Sequence, residues 1–207
     1  MTVLVVRMNS SAGILPISRN ENGDVVFLLG KDSRDGVFSD FGGKAETIDN
    51  GDSVNTATRE FYEETLGCLC NSPHSIRERV KKMSVMVNGT TKKGNDYSMF
   101  LIEVPYIPDL PLRFKKIVNF LKYKNIGSAY IEKSELVWVS LDEMFKIPKR
   151  QVFADTISNN VVTLRKVATE PWRAMFEDCV IPTIISPSRS SPPSSELYKH
   201  PHSNRQY

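Results

Sequence analysis

Cysteine is scarce in this chain, and the shortage removes whole classes of protein from consideration. Only 3 cysteines occur in 207 residues: Cys68, Cys70 and Cys179, an odd set without the spacing of a disulfide framework or a zinc module. A secreted, disulfide-stapled fold is therefore not expected, and the cytosol or nucleus is the natural compartment. Long apolar runs are also missing. Nothing approaches the ~18 consecutive apolar residues of a membrane span, and the opening Met1 to Val6 is too short for the apolar core of a signal peptide. Neither sign of charge dominates, since 27 Lys and Arg against 24 Asp and Glu leave +3. That balance mildly favours a polyphosphate ligand but falls far short of a dedicated nucleic-acid binder.

What is present suffices for one core, with 40% of the residues hydrophobic and no internal repeat. Residues 1–185 are expected to form a single domain. Serine and proline dominate residues 186–207, which cannot bury enough apolar surface to offset the entropy of ordering and are expected to be a disordered tail. His200 and His202 sit in that tail, remote from every acidic cluster, and are not taken as metal ligands.

Along the chain, Ser11 to Ser18 and Asp24 to Gly30 flank the turn Asn20-Glu21-Asn22-Gly23 and predict a β-hairpin. A helix is predicted over about 53–66, with Asp52 as its N-cap and Ser53 as the alternative. A short basic helix is expected near 74–82, then strands over Met83 to Val87 and Tyr97 to Val104, with mobile loops at Asn88-Gly89 and 92–95. Phe114, Ile117, Val118 and Leu121 have the spacing of a buried face on a helix over 111–124. Ser134 to Ser140 reads as a strand, Leu141 to Phe145 as a short helix, and 161–178 as a closing helix. Strands mixed with helices in this order favour an α/β fold with a mixed sheet between helical layers.

The segment from Phe41 to Gly67 is the most informative. A double glycine precedes a helix ending Arg59-Glu60-Phe61-Tyr62-Glu63-Glu64. At 100° per residue, Val54 and Ala57 fall within about 40° of Phe61, whereas Glu60, Glu63 and Glu64 fall roughly 200–300° away. One face thus suits burial, and the other gathers like charges that repel unless solvated or sharing a cation. Glu60 and Glu64, one turn apart, can close on one ion, and oxygen-only ligation selects a hard cation, Mg²⁺ or Mn²⁺. Glycines suit the preceding loop because it must pass close to that ion.

This pattern resembles the Nudix box: Gly, five residues, Glu, seven residues, then Arg-Glu-apolar-any-Glu-Glu-any-Gly-apolar. Gly42-Gly43-Lys44 matches its start, and Arg59, Glu60, Phe61, Glu63 and Glu64 match its core. Two departures stand out. Eight residues before Arg59, where the family has Glu, this chain has Gly51, in a segment about two residues longer than usual; and Leu66 between Thr65 and Gly67 displaces the terminal glycine. The first reads as a loop insertion that leaves the helix undisturbed, the second as a change to the helix C-cap.

The resemblance implies an α/β/α sandwich with a mixed sheet and hydrolysis of a nucleoside diphosphate linked to another moiety, by water attack on phosphorus with Mg²⁺ or Mn²⁺. It implies Glu60 and Glu64 as direct metal ligands, Glu63 as a third or water-mediated one, and the Gly42 carbonyl as an extra donor. Glu63 and Glu64 belong to the catalytic set, and Arg59 holds a carboxylate by an ion pair. A further acid, as base or ligand, comes from elsewhere, in the order of preference Glu135, Glu132, Glu103. ADP-ribose, dinucleoside polyphosphates and nucleoside triphosphates are the expected substrates. Capped RNA is the alternative, because Arg113, Lys115, Lys116, Lys122 and Lys124 could hold its phosphates, although these residues surround a normal apolar stripe and better suit the solvated face of an amphipathic helix. Phe38, Phe41, Tyr97 and Trp138 are candidates to stack on a base. A non-catalytic binding module on the same fold is the remaining class.

Overall fold

The Asn20 side-chain carbonyl accepts the backbone N–H groups of Asn22 and Asp24 at 3.0 and 2.9 Å, an Asx turn that joins β1 (Ser11–Arg19) to β2 (Val25–Asp32). The structure, a computed structural model, describes residues 10–126 and 131–172. The expected tail, Cys179, the 185 boundary and the end of the closing helix lie outside those residues.

β1 and β2 pair only at their hairpin end, Ile17 to Arg19 against Val25 to Phe27. Beyond it they diverge, and the fork is filled by β3 (Phe38–Ser39) against β2 and β4 (Phe41–Lys44) against β1. On its other edge β1 runs parallel to β6 (Asp96–Glu103), which pairs antiparallel with β5 (Ser84–Thr90), and β2 pairs antiparallel with β7 (Lys133–Val139). The result is a mixed seven-stranded sheet. The double glycine lies in the fork, where Gly42 packs directly on Gly13 and Tyr97 and Gly43 on the Glu60 carboxylate.

Helices cover both faces, which is why β1 is buried almost throughout instead of alternating. On one face α1 (Ser53–Glu64), α2 (Pro73–Lys82) and α3 (Leu110–Tyr123) pack with Ile14, Leu28, Phe100 and Ile102. On the other, α4 (Leu141–Lys146), α5 (Gln151–Asn159) and α6 (Val161–Thr169) pack with Leu15, Phe27, Leu29 and Leu101. The architecture is an α/β/α sandwich, and no helix among the described residues is long and apolar enough to cross a membrane.

Several expectations need correction. Asn88 and Gly89 belong to β5, paired with Ser98 and Tyr97, because Gly89 lets the strand lie directly on Thr156 of α5. Helix α5 itself was not foreseen. Ile117 is 38% exposed, since the buried face of α3 is centred on Leu110, Phe114 and Val118. Helix α1 stops at Glu64, where Leu66 and Gly67 both turn left-handed at φ 52° and 68°.

Candidate active site

Helix α1 is fixed at both ends and along one side. Asp52 caps it by accepting the Val54 N–H at 2.8 Å, and Ala57 and Phe61 are fully buried, with the Phe61 ring edge-on to Phe41 at 5.6 Å. The lengthened loop before it is ordered by a 3-10 turn, Thr47–Asp49, followed by Asn50 and Gly51 in left-handed conformations at φ 54° and 72°. Asn and Gly tolerate that geometry best. The turn delivers Asp49 into the interior, where its carboxylate accepts Arg59 Nε at 3.1 Å and Nη2 at 3.0 Å, the Thr56 hydroxyl at 3.0 Å and the Glu46 N–H at 2.8 Å. Burial opposes its ionisation, but these donors prevail and hold its pKa below the usual carboxylate value.

Arg59 is the hub. Besides Asp49 it reaches Glu60 Oε1 at 3.0 Å, Glu63 Oε2 at 3.1 Å and the Lys44 carbonyl at 2.9 Å. It thereby ties the acidic face of α1 to the strand carrying the glycines. Glu60 lies against Gly43 so closely that a Cβ there would stand 2.4 Å from Oε1. Glu64 is almost fully buried: Oε2 accepts the Gly42 N–H at 2.8 Å, and Oε1 lies 3.2 Å from the Lys133 ammonium. Glu63 is half exposed. Burial first, then neighbouring carboxylates, push Glu60 up to about 7 and Glu64 up to about 8 against the pull of Arg59 and Lys133 respectively.

Beneath Glu64 lies a second polar layer. Lys133 Nζ donates to Ser39 Oγ at 2.8 Å, and the Tyr97 hydroxyl donates to Asp40. Burial pushes Asp40 up to about 6 despite the Tyr97 hydrogen bond and the nearby Lys133. Burial and the Asp40 charge raise Tyr97 well above a free phenol.

Glu60, Glu64 and the Gly42 peptide thus meet at one place, with Glu63 at its rim. The three acids of other elements are distributed differently. Glu132, just ahead of β7, is exposed and close enough to raise Glu60. Glu135 faces Lys31 across the β2–β7 pairing at 3.8 Å. Glu103 pairs with Ile17 at the far end of β6, whereas Gly42 and Gly43 pair with Gly13 and Ala12 of β1, which pair in turn with Met99 and Ser98. That is four to five residues away, about 13–17 Å at the usual strand rise. Phe41 and Tyr97 are buried and offer no face to a base, whereas Phe38 and Trp138 are partly exposed.

Sequence reasoning missed Asp49, Lys133, Ser39 and Asp40, and offered Tyr97 as a stacking ring where it is instead a buried hydrogen-bond donor to Asp40. Asn50-Gly51 is a turn signal that points to Asp49, but nothing local marks a lysine at a strand start as buried. Part of the repulsion among these glutamates is answered from within the chain, by Arg59 and Lys133. Among the described residues, no three His, Cys, Asp or Glu side chains form a ready metal cluster. In kind the donors nevertheless fit a hard divalent cation: they are oxygens only, and Glu60 and Glu64 stay pushed up despite their cationic partners. Taking such an ion requires Glu64 Oε1 to be shared with, or yielded by, Lys133.

No family model matches the sequence, and no curated protein sequence does. Among solved structures the chain is similar to the Ap4A hydrolase of C. elegans in a binary complex, at 15% identity and TM-score 0.49 over 76% of this chain and 98% of that one. It is similar to the Nudix hydrolase RenU of M. smegmatis at 14% identity and TM-score 0.46, over 78% and 89% of the two chains. A third is the Nudix domain of Shewanella oneidensis NrtR complexed with ADP ribose, at 13% identity and TM-score 0.46 over 77% and 88%.

Proposed function

We propose that this chain is a divalent-cation-dependent pyrophosphohydrolase of the Nudix type, acting on a nucleotide-type diphosphate. One observation carries the reading: buried Glu60 and Glu64 meet the Gly42-Gly43 backbone in the sheet fork while remaining short of positive charge. In this reading Glu60 and Glu64 hold Mg²⁺ or Mn²⁺, with Glu63 and the Gly42 carbonyl as further donors. The ion, when bound, would neutralise phosphate oxygens and lower the pKa of a water.

The chain's own groups divide the remaining work. Arg59, braced by Asp49, fixes the rotamers of Glu60 and Glu63 and so keeps the acids convergent. Glu63, half exposed and paired with Arg59, stands at the rim. Glu132 is the best situated of the outlying acids to serve as base, ahead of Glu135, while Glu103 is too distant to share the reaction. The test is a panel of ADP-ribose, dinucleoside polyphosphates, NADH, nucleoside triphosphates and capped RNA with Mg²⁺ or Mn²⁺. At least one should be cleaved, and Glu64→Gln should slow that cleavage at least about 100-fold, roughly 2.7 kcal/mol of transition-state stabilisation. If every compound survives, the non-catalytic binding module takes its place.

A specific feature favours capped RNA as a second reading. On α3, Phe120 and Tyr123 are 56% and 80% exposed. Lys124 lies over both rings, 5.8 and 5.6 Å from their centroids. Exposed rings interleaved with lysines suit single-stranded nucleic acid. On this reading Lys116→Glu/Lys124→Glu lowers the rate on capped RNA and its salt dependence but leaves dinucleotide cleavage unchanged. Equal effects on both would exclude it.

A further inference from the structure

Among the described residues, Lys133 is a fully buried cation that the proposed chemistry does not use. Its side chain is inaccessible to solvent, as is nearly all of Glu64. Space for its stem comes from Gly30 of β2, where a Cβ would stand 2.8 Å from Lys133 Cδ. Its second partner is ready to receive it, because the Ser39 hydroxyl donates to the Asp40 carbonyl at 2.8 Å and so turns a lone pair toward Nζ. A buried ammonium is costly unless paired and hydrogen-bonded, and here Glu64 of α1 supplies the pairing and Ser39 of β3 the hydrogen bond.

Resting on the cation-site reading above, we propose that Lys133 is a fixed internal cation that competes with a divalent ion for Glu64 and sets how tightly the site takes one. Anchored on Ser39, it stays beside the site whether or not Glu64 turns away. A unit positive charge held that near opposes an arriving dication, and the opposition is strong in a buried, poorly screened setting. Lys133 therefore acts through Glu64 as a positioning residue: it keeps the carboxylate ordered before an ion enters and weakens the ion's hold afterwards.

The test is Mn²⁺ titration by calorimetry on the full chain. Lys133→Met, which keeps the stem and deletes the charge, should bind Mn²⁺ at least about tenfold tighter than wild type, since a nearby repulsive charge has gone. A folded variant with equal or weaker affinity overturns the proposal. Because this variant leaves Glu64 buried without a cation and can fail to fold, wild-type protein supplies a second readout. The Lys133 ¹⁵Nζ signal, assigned by its loss in Lys133→Arg, should shift on saturation with Mg²⁺. A signal that stays put also overturns the idea. If neither wild type nor variant takes up Mn²⁺, the cation-site reading falls along with it. Equal binding by both removes the role of Lys133 alone.

Discussion

Replacing Asp49 with Ala tests whether the lengthened loop is part of the site's scaffold or a tolerated insertion. The substitution removes a side-on partner from Arg59 at 3.1 and 3.0 Å, strips the Glu46 N–H of its acceptor and leaves the Thr56 hydroxyl only the longer contact to the Asp52 carbonyl at 3.4 Å. Breaking a buried ion pair from one side costs about 3–5 kcal/mol. Arg59 keeps Glu60 and Glu63, so the lower end, about 3 kcal/mol, is expected. For a chain of this size that corresponds to a melting temperature lower by roughly 6–12 °C. The sign of the pH dependence follows from the depressed pKa of Asp49. Its contribution is fully present above the unfolded-state pKa of about 3.9 and is lost as pH falls through the lower folded value. Differential scanning calorimetry of wild type and Asp49→Ala should therefore show the widest gap near neutrality and convergence below about pH 4. Asp52→Asn, which keeps a cap acceptor, should stay within about 0.5 kcal/mol of wild type. A drop under about 2 °C for Asp49→Ala, less than 1 kcal/mol by the same scaling, or a gap that widens in acid, refutes this account of the loop.

Gly43→Ala should act on the site more than on the fold, because its Cβ strikes the Glu60 carboxylate at 2.4–2.7 Å and that flexible end can swing away. The expected stability cost is about 1 kcal/mol, the low end for overpacking, with Mn²⁺ affinity down at least tenfold; unchanged affinity by calorimetry would count against Glu60 as a ligand. Gly89→Ala should do the reverse. Its Cβ meets Thr156 Oγ1 at 2.0 Å and Cβ at 3.0 Å, and Thr156 is fully buried, so about 2–3 kcal/mol should be lost with turnover per folded molecule intact. Glu132→Gln should slow whichever substrate the panel identifies by about 10²-fold or more, as loss of a general base does, while Glu103→Gln stays near wild type. A reversal of that order in steady-state kinetics would mean the base has been misassigned.

Most of the scaffold was legible because its signals are local. The Asn20 to Gly23 turn, the Asp52 cap and the Val54, Ala57, Phe61 stripe each depend on neighbours within one or two turns, and each forms as the sequence suggests. What could not be read is long-range. Ile117 matches the helical spacing of a core residue, yet the buried face of α3 is centred on Leu110, Phe114 and Val118 and leaves it partly outside. Asp49 reaches Arg59 only because Asn50 and Gly51 reverse the chain, a matter of backbone conformation and not of spacing along a motif. Lys133 is buried because Gly30, Ser39 and Glu64 converge on it from distant segments, and composition assigns lysine to the surface.

The same distinction bears on what the three glutamates are for. Were Arg59 and Lys133 sufficient counter-ions, Glu60 and Glu64 would sit near or below their ordinary values, as Asp49 does with its four donors. Instead burial and mutual repulsion outweigh both cations and push them up to about 7 and 8. Each carboxylate raised in this way marks free energy withheld from folding. A dication entering beside Glu60 and Glu64 would recover that energy as binding affinity. The deficit serves a hydrolase and a binding module equally. Turnover depends instead on the rim, on whether Glu63 or Glu132 can take a proton from water held against phosphorus. The charge deficit is therefore an argument for the ion alone, and the kinetics of the rim variants carry the argument for catalysis.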